Sequence, residues 1–319
     1  MNPALEETDN KNSPIISRQV TSLTFYDRFL RFKERVIEFL LFLAASLSIV
    51  VTIGIFGILI YESSTFFAHV SVFEFLTDTL WTPLFYPPRF GILPLLTGTL
   101  VTTAVALSVA LPIGSIVAVY LSEFAPQVVR EILKPILELL SAIPTVVYGY
   151  FALLFVAPLL QRIIPDLPTF NMLSAGIVMG IMIIPYVSSL SEDAMRAVPM
   201  SLRESAYALG ANRIITALKV VYPAAFSGIV ASYILAISRA LGETMIVAIA
   251  AGMQPNLTLD PREPAATITA FIVQVSLGDL PHGSIGYQSI FAAGLTLFLM
   301  TLIFNVIGFY LRRRYREAY

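Results

Sequence analysis

Arg239 and Glu243 stand inside a run of apolar residues, Ile234-Leu-Ala-Ile-Ser-Arg-Ala-Leu-Gly-Glu-Thr-Met-Ile-Val247. A charge at the centre of a bilayer costs about 2.5–3.5 kcal/mol or more on insertion scales, so such a residue faces a cavity or a partner rather than lipid. A spacing of four puts both side chains on one helical face, where they can pair. Arg precedes Glu, the weaker order for a helix pair, so helix stabilisation alone is a poor reason for them. A guanidinium is a planar, permanently charged fork suited to an oxyanion. The chemistry expected is passage of an anion: Arg239 contacts it, and Glu243 holds the fork while the path is empty. The structural alternative is a buried pair that locks two helices.

A second stretch offers a place to push. Arg203-Glu-Ser-Ala-Tyr-Ala-Leu-Gly-Ala-Asn-Arg-Ile-Ile-Thr-Ala-Leu-Lys-Val-Val-Tyr-Pro223 is a polar, basic, helix-forming island between two long apolar runs. Ser201 and Glu204 have the spacing of a capping box, and Gly210 with Asn212 should end the helix. Leu202, Tyr207 and Leu209 are spaced like a short ridge that could enter a protein groove. An amphipathic helix lying on the membrane is the alternative. Glu204, Ser205, Ala206, Leu209 and Gly210 are the residues expected to meet a partner there. No Gly-x-x-x-x-Gly-Lys-Ser/Thr occurs, so the chain lacks that phosphate-cradling loop. No catalytic constellation is evident, and no cofactor is expected. With no Cys and only His69 and His282, neither thiol chemistry nor a multi-histidine metal site is expected.

The elements that must hold these residues are membrane spans. The chain is 57% hydrophobic and 13% charged, whereas soluble domains are about a quarter charged. Apolar runs recur at the length a ~30 Å hydrocarbon core requires. They are continuous rather than alternating, which argues against a β-barrel. The expected fold is all-α, a polytopic helical bundle with six spans near 36–62, 92–121, 136–160, 171–190, 224–251 and 288–311. Lys and Arg crowd one set of flanks, while the other set carries only Arg89, Arg162 and Arg262. The positive-inside rule then puts both termini and the island in the cytoplasm. Residues 1–35 read as a polar cytoplasmic tail without the layout of a signal peptide, its stretch 25–35 suiting a short interfacial helix. Residues 36–319 read as the transmembrane domain, with a coupling helix at about 199–215. The outer loops 63–91 and 252–287 are long. Their aromatics, from Trp81 to Phe90, suit either the membrane interface or a docking surface. Gly176 and Gly180 permit close helix approach. A net charge of −1 gives no reason to expect nucleic acid.

The island resembles the "EAA" loop of bacterial ATP-binding-cassette importer permeases, with Ser205 at the second position of that motif. Further blocks are similar to the phosphate-specific permeases: Phe90-Gly-Ile-Leu-Pro-Leu-Leu-Thr-Gly-Thr99, Leu111-Pro-Ile-Gly114, Tyr120-Leu-Ser-Glu-Phe-Ala-Pro126, Glu138-Leu-Leu-Ser-Ala-Ile-Pro-Thr-Val-Val-Tyr-Gly149 and Ser238-Arg-Ala-Leu-Gly-Glu-Thr-Met245. Thr145, like Ser205, departs from the commoner family residue. The Phe-Gly-Ile-Leu-Pro block and Gly-Glu-Thr-Met look more like the PstC-type partner than the PstA-type one. The resemblance covers residue 70 to the C-terminus. It implies a type I importer permease of the bacterial inner membrane, itself non-catalytic. It also implies a second, PstA-type permease, an ATP-binding subunit dimer on the cytoplasmic face and an extracytoplasmic phosphate-binding protein. In that family the residues matching Arg239 and Glu243 are associated with transport. Sulfate, molybdate or phosphonate would suit Arg239 equally on physical grounds. An ion-coupled secondary transporter would need acidic or His relays in several spans.

Overall fold

The computed structural model describes residues 13–281 and 283–314. The chain divides into two units, Met1–Ile58 and Leu59–Tyr319. The described part of the first unit is a single helix, α1, which runs Ser13–Phe67 and ends in the second unit. It takes in residues 13–35, most of the stretch read as a tail; residues 1–12 lie outside the described residues. Its residues 39–61 carry no charged side chain on any face. A helix apolar all round needs lipid or another protein around it.

The second unit contains α2 (Val72–Thr77), α3 (Leu93–Phe124), α4 (Gln127–Ala142), α5 (Thr145–Gln161), α6 (Met172–Arg196), α7 (Met200–Ala208), α8 (Arg213–Ala224), α9 (Phe226–Leu241), α10 (Met245–Ala250), α11 (Ile268–Gln274) and α12 (Ile285–Arg314). Strand pairing among the described residues is limited to isolated bridges, Trp81 with Phe90 and Gly252 with Ala265. The spine of the bundle is α3 against α6. A Cβ on Gly176 would stand 3.1 Å from the Thr102 carbonyl oxygen, and one on Gly180 2.7 Å from that of Ala106. Only Gly lets the two backbones approach this closely.

Among the described residues, four helices are long and apolar enough to cross a membrane, and up to six spans result if each bent pair is one. The all-α bundle is therefore as expected, but two spans depart from the expected form. The third, expected as one helix over 136–160, breaks between α4 and α5 by 88°. Pro144 forces the preceding Ile143 into an extended backbone, φ −65° and ψ 130°. α4 buries none of its residues and exposes Val128, Ile132, Ile136 and Leu139 at helical spacing. It reads as a helix lying at the interface. The fifth, expected over 224–251, bends by 71° between α8 and α9 and breaks again at residues 242–244.

The two long loops, 63–91 and 252–287, are built on an aromatic core. Trp81 is buried, meeting Phe271, Phe90 and Phe75 edge-on at centroid distances of 4.9, 6.2 and 6.3 Å. Edge-to-face pairs add roughly 0.5–1.5 kcal/mol beyond the area they bury. Trp81 and Phe90 are thus core residues, while Phe85 and Tyr86 remain exposed. The loop cations are paired, Arg89 with Asp78 at 3.4 Å and Arg262 with Asp260 at 2.6 Å. Hydrogen bonds from Arg262 hold the half-buried Asp260 carboxyl down at about 2. Sequence periodicity did not single out α11. Thr267 caps it, accepting from the Ala270 N–H at 3.2 Å.

Candidate functional site

Arg239 lies in the last turn of α9, where a cation suits the carbonyl end of a helix. It is exposed, and its guanidinium carbon sits 5.4 Å from the ring centroid of Tyr186 on α6. Glu243 does not pair with it. α9 ends at Leu241, and Glu243 is buried in the break before α10. There its Oε1 accepts from the N–H groups of Met245 at 3.1 Å and Ile246 at 3.4 Å. The spacing of four that placed both charges on one helical face assumes a helix through both, and the helix stops between them. The Glu243 carbonyl, freed by the break, accepts from the Thr269 hydroxyl at 2.7 Å. Ile268, beside Thr269, donates its N–H to Thr99 at 3.1 Å. Glu243, Thr269 and Thr99 therefore stitch the broken span to α11 and α3, which satisfies backbone groups that lipid could not.

Below Tyr186 a groove of about 250 Å³ is lined by Pro185, Ser189, Lys134, Glu138 and Glu192, among others. Glu192 is fully buried, with Lys134 Nζ 3.2 Å from one oxygen and Arg196 Nη1 3.6 Å from the other. Neither oxygen has a hydrogen bond of good geometry, so ion contacts alone hold the carboxylate. Lys134 also reaches Asp193 at 2.9 Å. These contacts fasten the interfacial α4 to α6.

The coupling-helix candidate is α7. Its N-cap is Pro199, and Ser201 lies inside the helix, so the expected capping box does not form. Proline already supplies a helix-compatible φ, which leaves Ser201 no capping position. Gly210 ends the helix with φ +83°. Ala211 N–H reaches the Ala206 carbonyl at 3.0 Å and Gly210 N–H that of Tyr207 at 2.9 Å, the two bonds of a Schellman cap. Asn212 then caps α8, accepting from Ile215 N–H at 2.9 Å. Of the residues expected to meet a partner, Glu204, Ser205, Leu209 and Gly210 are exposed, and Ala206 is buried against the bundle. The expected ridge changes membership. Leu202 packs inward beside Met195 and Val198, while Met200, Tyr207 and Leu209 point outward.

Sequence reasoning missed what anchors α7. Arg203, treated as one more basic flank residue, is 9% exposed. It forks onto Glu123, Nη2 to Oε1 at 2.9 Å and Nε to Oε2 at 3.3 Å. It also donates to the Val198 carbonyl at 2.6 Å and the Met195 carbonyl at 2.9 Å. One side chain thus ties α7 to the end of α3, to the Met195 carbonyl in the last turn of α6 and to the Val198 carbonyl just beyond it. Arg213 adds a second tie, 5.6 Å over the Phe124 ring. The available signal was Glu123, a carboxylate inside an apolar run, the same signal that exposed Arg239.

Residues 110–317 match the family described as the binding-protein-dependent transport system inner membrane component. The probable ABC transporter permease protein YqgH of Bacillus subtilis is 34% identical over 275 residues, covering 86% of this chain and 87% of that protein. The phosphate transport system permease protein PstC of Mesorhizobium japonicum is 32% identical over 293 residues, covering 85% and 88%. Among solved structures, a bacterial alginate ABC transporter in complex with alginate pentasaccharide-bound periplasmic protein aligns with TM-score 0.58 at 17% identity, over 80% of this chain and 87% of that one. The inward-facing MetNI methionine ABC transporter aligns with TM-score 0.52 at 16% identity, over 71% and 94%. These structures share the fold of the bundle described above. The chain belongs to the binding-protein-dependent transport system inner membrane component family.

Proposed function

We propose that this chain is a transmembrane permease subunit of an ATP-driven importer that carries inorganic phosphate into the cytoplasm. The observation that carries the reading is Arg239, an exposed guanidinium in a broken span that no carboxylate pairs with among the described residues. Its fork can meet two phosphate oxygens at once. Two opposite charges 4 Å apart attract by about 1 kcal/mol in water and about 4 kcal/mol at an effective dielectric of 20. An attraction of that size draws the anion without trapping it. Glu243 acts on the backbone: by capping α10 it keeps the span broken and leaves Arg239 at a helix end. Phosphate is favoured over other oxyanions by the PstC relatives.

α7 would seat in an ATP-binding subunit, with Met200, Glu204, Tyr207 and Leu209 as its outward face. ATP hydrolysis would belong to that dimer, leaving this subunit non-catalytic. A PstA-type permease would complete the membrane part, and an extracytoplasmic phosphate-binding protein would deliver from outside. Both termini and α7 would be cytoplasmic, on the Lys/Arg asymmetry. Labelling a cysteine at Asn256, but not one at Ser201, with an impermeant reagent in intact cells would support this; the reverse pattern would reject it. The deciding experiment is uptake of radiolabelled phosphate by the reconstituted complex, challenged with sulfate, molybdate and phosphonate. ATP-dependent uptake resistant to those anions is expected. Uptake that sulfate or molybdate abolishes would reassign the substrate.

A further inference from the structure

A crevice between α9 and α12 carries two arginines at one end. The mouth, about 600 Å³, is lined by Ser227, Gly228, Ala231, Phe309, Arg312 and Arg313. A second space of about 190 Å³ shares Ala231, Phe309 and Arg312 and continues along the helices past Ile234, Leu235 and Asn305, whose amide is already engaged by Thr301 and Ser238. Neither lining contains a carboxylate, and neither arginine pairs with one among the described residues. The Arg312 guanidinium lies 5.9 Å over the Phe309 ring, which directs it across the mouth.

The depth of this crevice in the membrane follows from helix length. α12 has 30 residues, roughly 45 Å at 1.5 Å per residue, against a hydrocarbon core of ~30 Å. Its last turn, Arg312–Arg314, therefore stands in the headgroup layer. Just inside that layer Leu302, Ile303, Val306 and Ile307 are exposed. They lie on a different face of α12 from the crevice-lining Asn305, Gly308, Phe309 and Arg312, so acyl chains border the helix beside the crevice.

We propose that the crevice binds an anionic phospholipid, its headgroup phosphate on Arg312 and Arg313 and one acyl chain along Ile234 and Leu235. A topology signal explains positive charge at a span end but requires no cavity. A free phosphate ion would explain the arginines but not the extension past Ile234 and Leu235. Basic pockets between spans are the arrangement that anionic headgroups use. The inference does not depend on which anion the subunit transports.

The test is native mass spectrometry of the intact complex carrying wild-type or Arg312→Gln/Arg313→Gln chain, with phosphatidylglycerol or phosphatidylcholine supplied. A basic residue at an anionic surface contributes about fivefold in affinity, so loss of both predicts phosphatidylglycerol binding weaker by roughly 25-fold. Arg312→Lys/Arg313→Lys should keep most of it, and phosphatidylcholine should bind weakly throughout. If the double Gln variant fails to assemble, Ala231→Phe blocks the crevice with its charges intact and should lose the lipid alike. Unchanged phosphatidylglycerol binding in the double Gln variant or in Ala231→Phe overturns the proposal. Displacement of the lipid by millimolar inorganic phosphate also overturns it, and so does a photocrosslinker at residue 313 that captures a partner subunit instead of lipid.

Discussion

Arg203 should be worth more than the partner it is paired with. Arg203→Ala strands a buried carboxylate, Glu123, which keeps only the Ser122 hydroxyl at 2.9 Å. It also strands the Val198 carbonyl that accepted at 2.6 Å, while the Met195 carbonyl still accepts from the Val198 N–H at 3.2 Å. Removing one partner of a buried ion pair costs about 3–5 kcal/mol. Glu123→Gln is gentler, because the amide oxygen still accepts and Arg203 keeps both carbonyls. The loss is then the difference between charged and neutral hydrogen bonds, about 1–2 kcal/mol. Amide hydrogen exchange across residues 200–211 reads this locally, since protection scales with the free energy of opening. Exchange should speed up by at least a hundredfold in Arg203→Ala, and by roughly 5- to 30-fold in Glu123→Gln. ATPase co-purification should fall in the same order. Equal effects of the two variants, or unchanged exchange in Arg203→Ala, would refute the claim that this arginine sets the pose of α7.

Arg239→Ala and Arg239→Lys should both abolish or severely reduce phosphate uptake at matched expression, because Lys lacks the planar fork; wild-type uptake in Arg239→Ala would end the anion-contact reading. Glu243→Gln keeps an oxygen for Met245 and Ile246 and should retain most uptake, whereas Glu243→Ala loses the cap at a cost of about 0.5–2 kcal/mol; the opposite ranking would return Glu243 to a direct charge role. Gly210→Ala and Gly210→Leu should weaken ATPase association to a similar degree, because φ +83° costs roughly 1–2 kcal/mol for any Cβ-bearing residue and nothing lies within 4 Å to clash. A much larger loss in Leu than in Ala would mean that the partner fills that space.

The sequence was legible where one signal dominates. Hydropathy located the apolar runs, and the basic island marked α7, because desolvation outweighs every other term in a bilayer. Backbone breaks were less legible. Pro144 stands inside the third expected span, but an apolar run of span length concealed that α4 turns away by 88°. At residues 242–244 the side-chain spacing was right and the helix was not. Glu243 is spent on backbone N–H groups, a choice made by Gly242 and by the Thr269 hydroxyl on a distant element, α11. Arg203 and Glu123 are 80 positions apart. Nothing local distinguishes that arginine from a solvated flank, since only tertiary packing removes it from water.

Pro185 gives α6 a mechanical property. It withholds one hydrogen bond from the helix and stands between the glycine-packed half and the half bearing Tyr186, Glu192 and the Met195 carbonyl that Arg203 grips. If the helix flexes there, residues 186–196 form a boom roughly 16 Å long, with Tyr186 beside the pivot and Arg203's grip near the tip. A 10° swing would carry the tip through roughly 3 Å while Tyr186 moves by less than ~1 Å. The linkage would thus be geared down, a long stroke at α7 arriving beside Arg239 as a fine adjustment. Distances between spin labels at residues 186 and 196 and a fixed site on α3, taken across the ATP cycle, would read that ratio. Equal displacement of the two labels would mean that α6 moves as one rod.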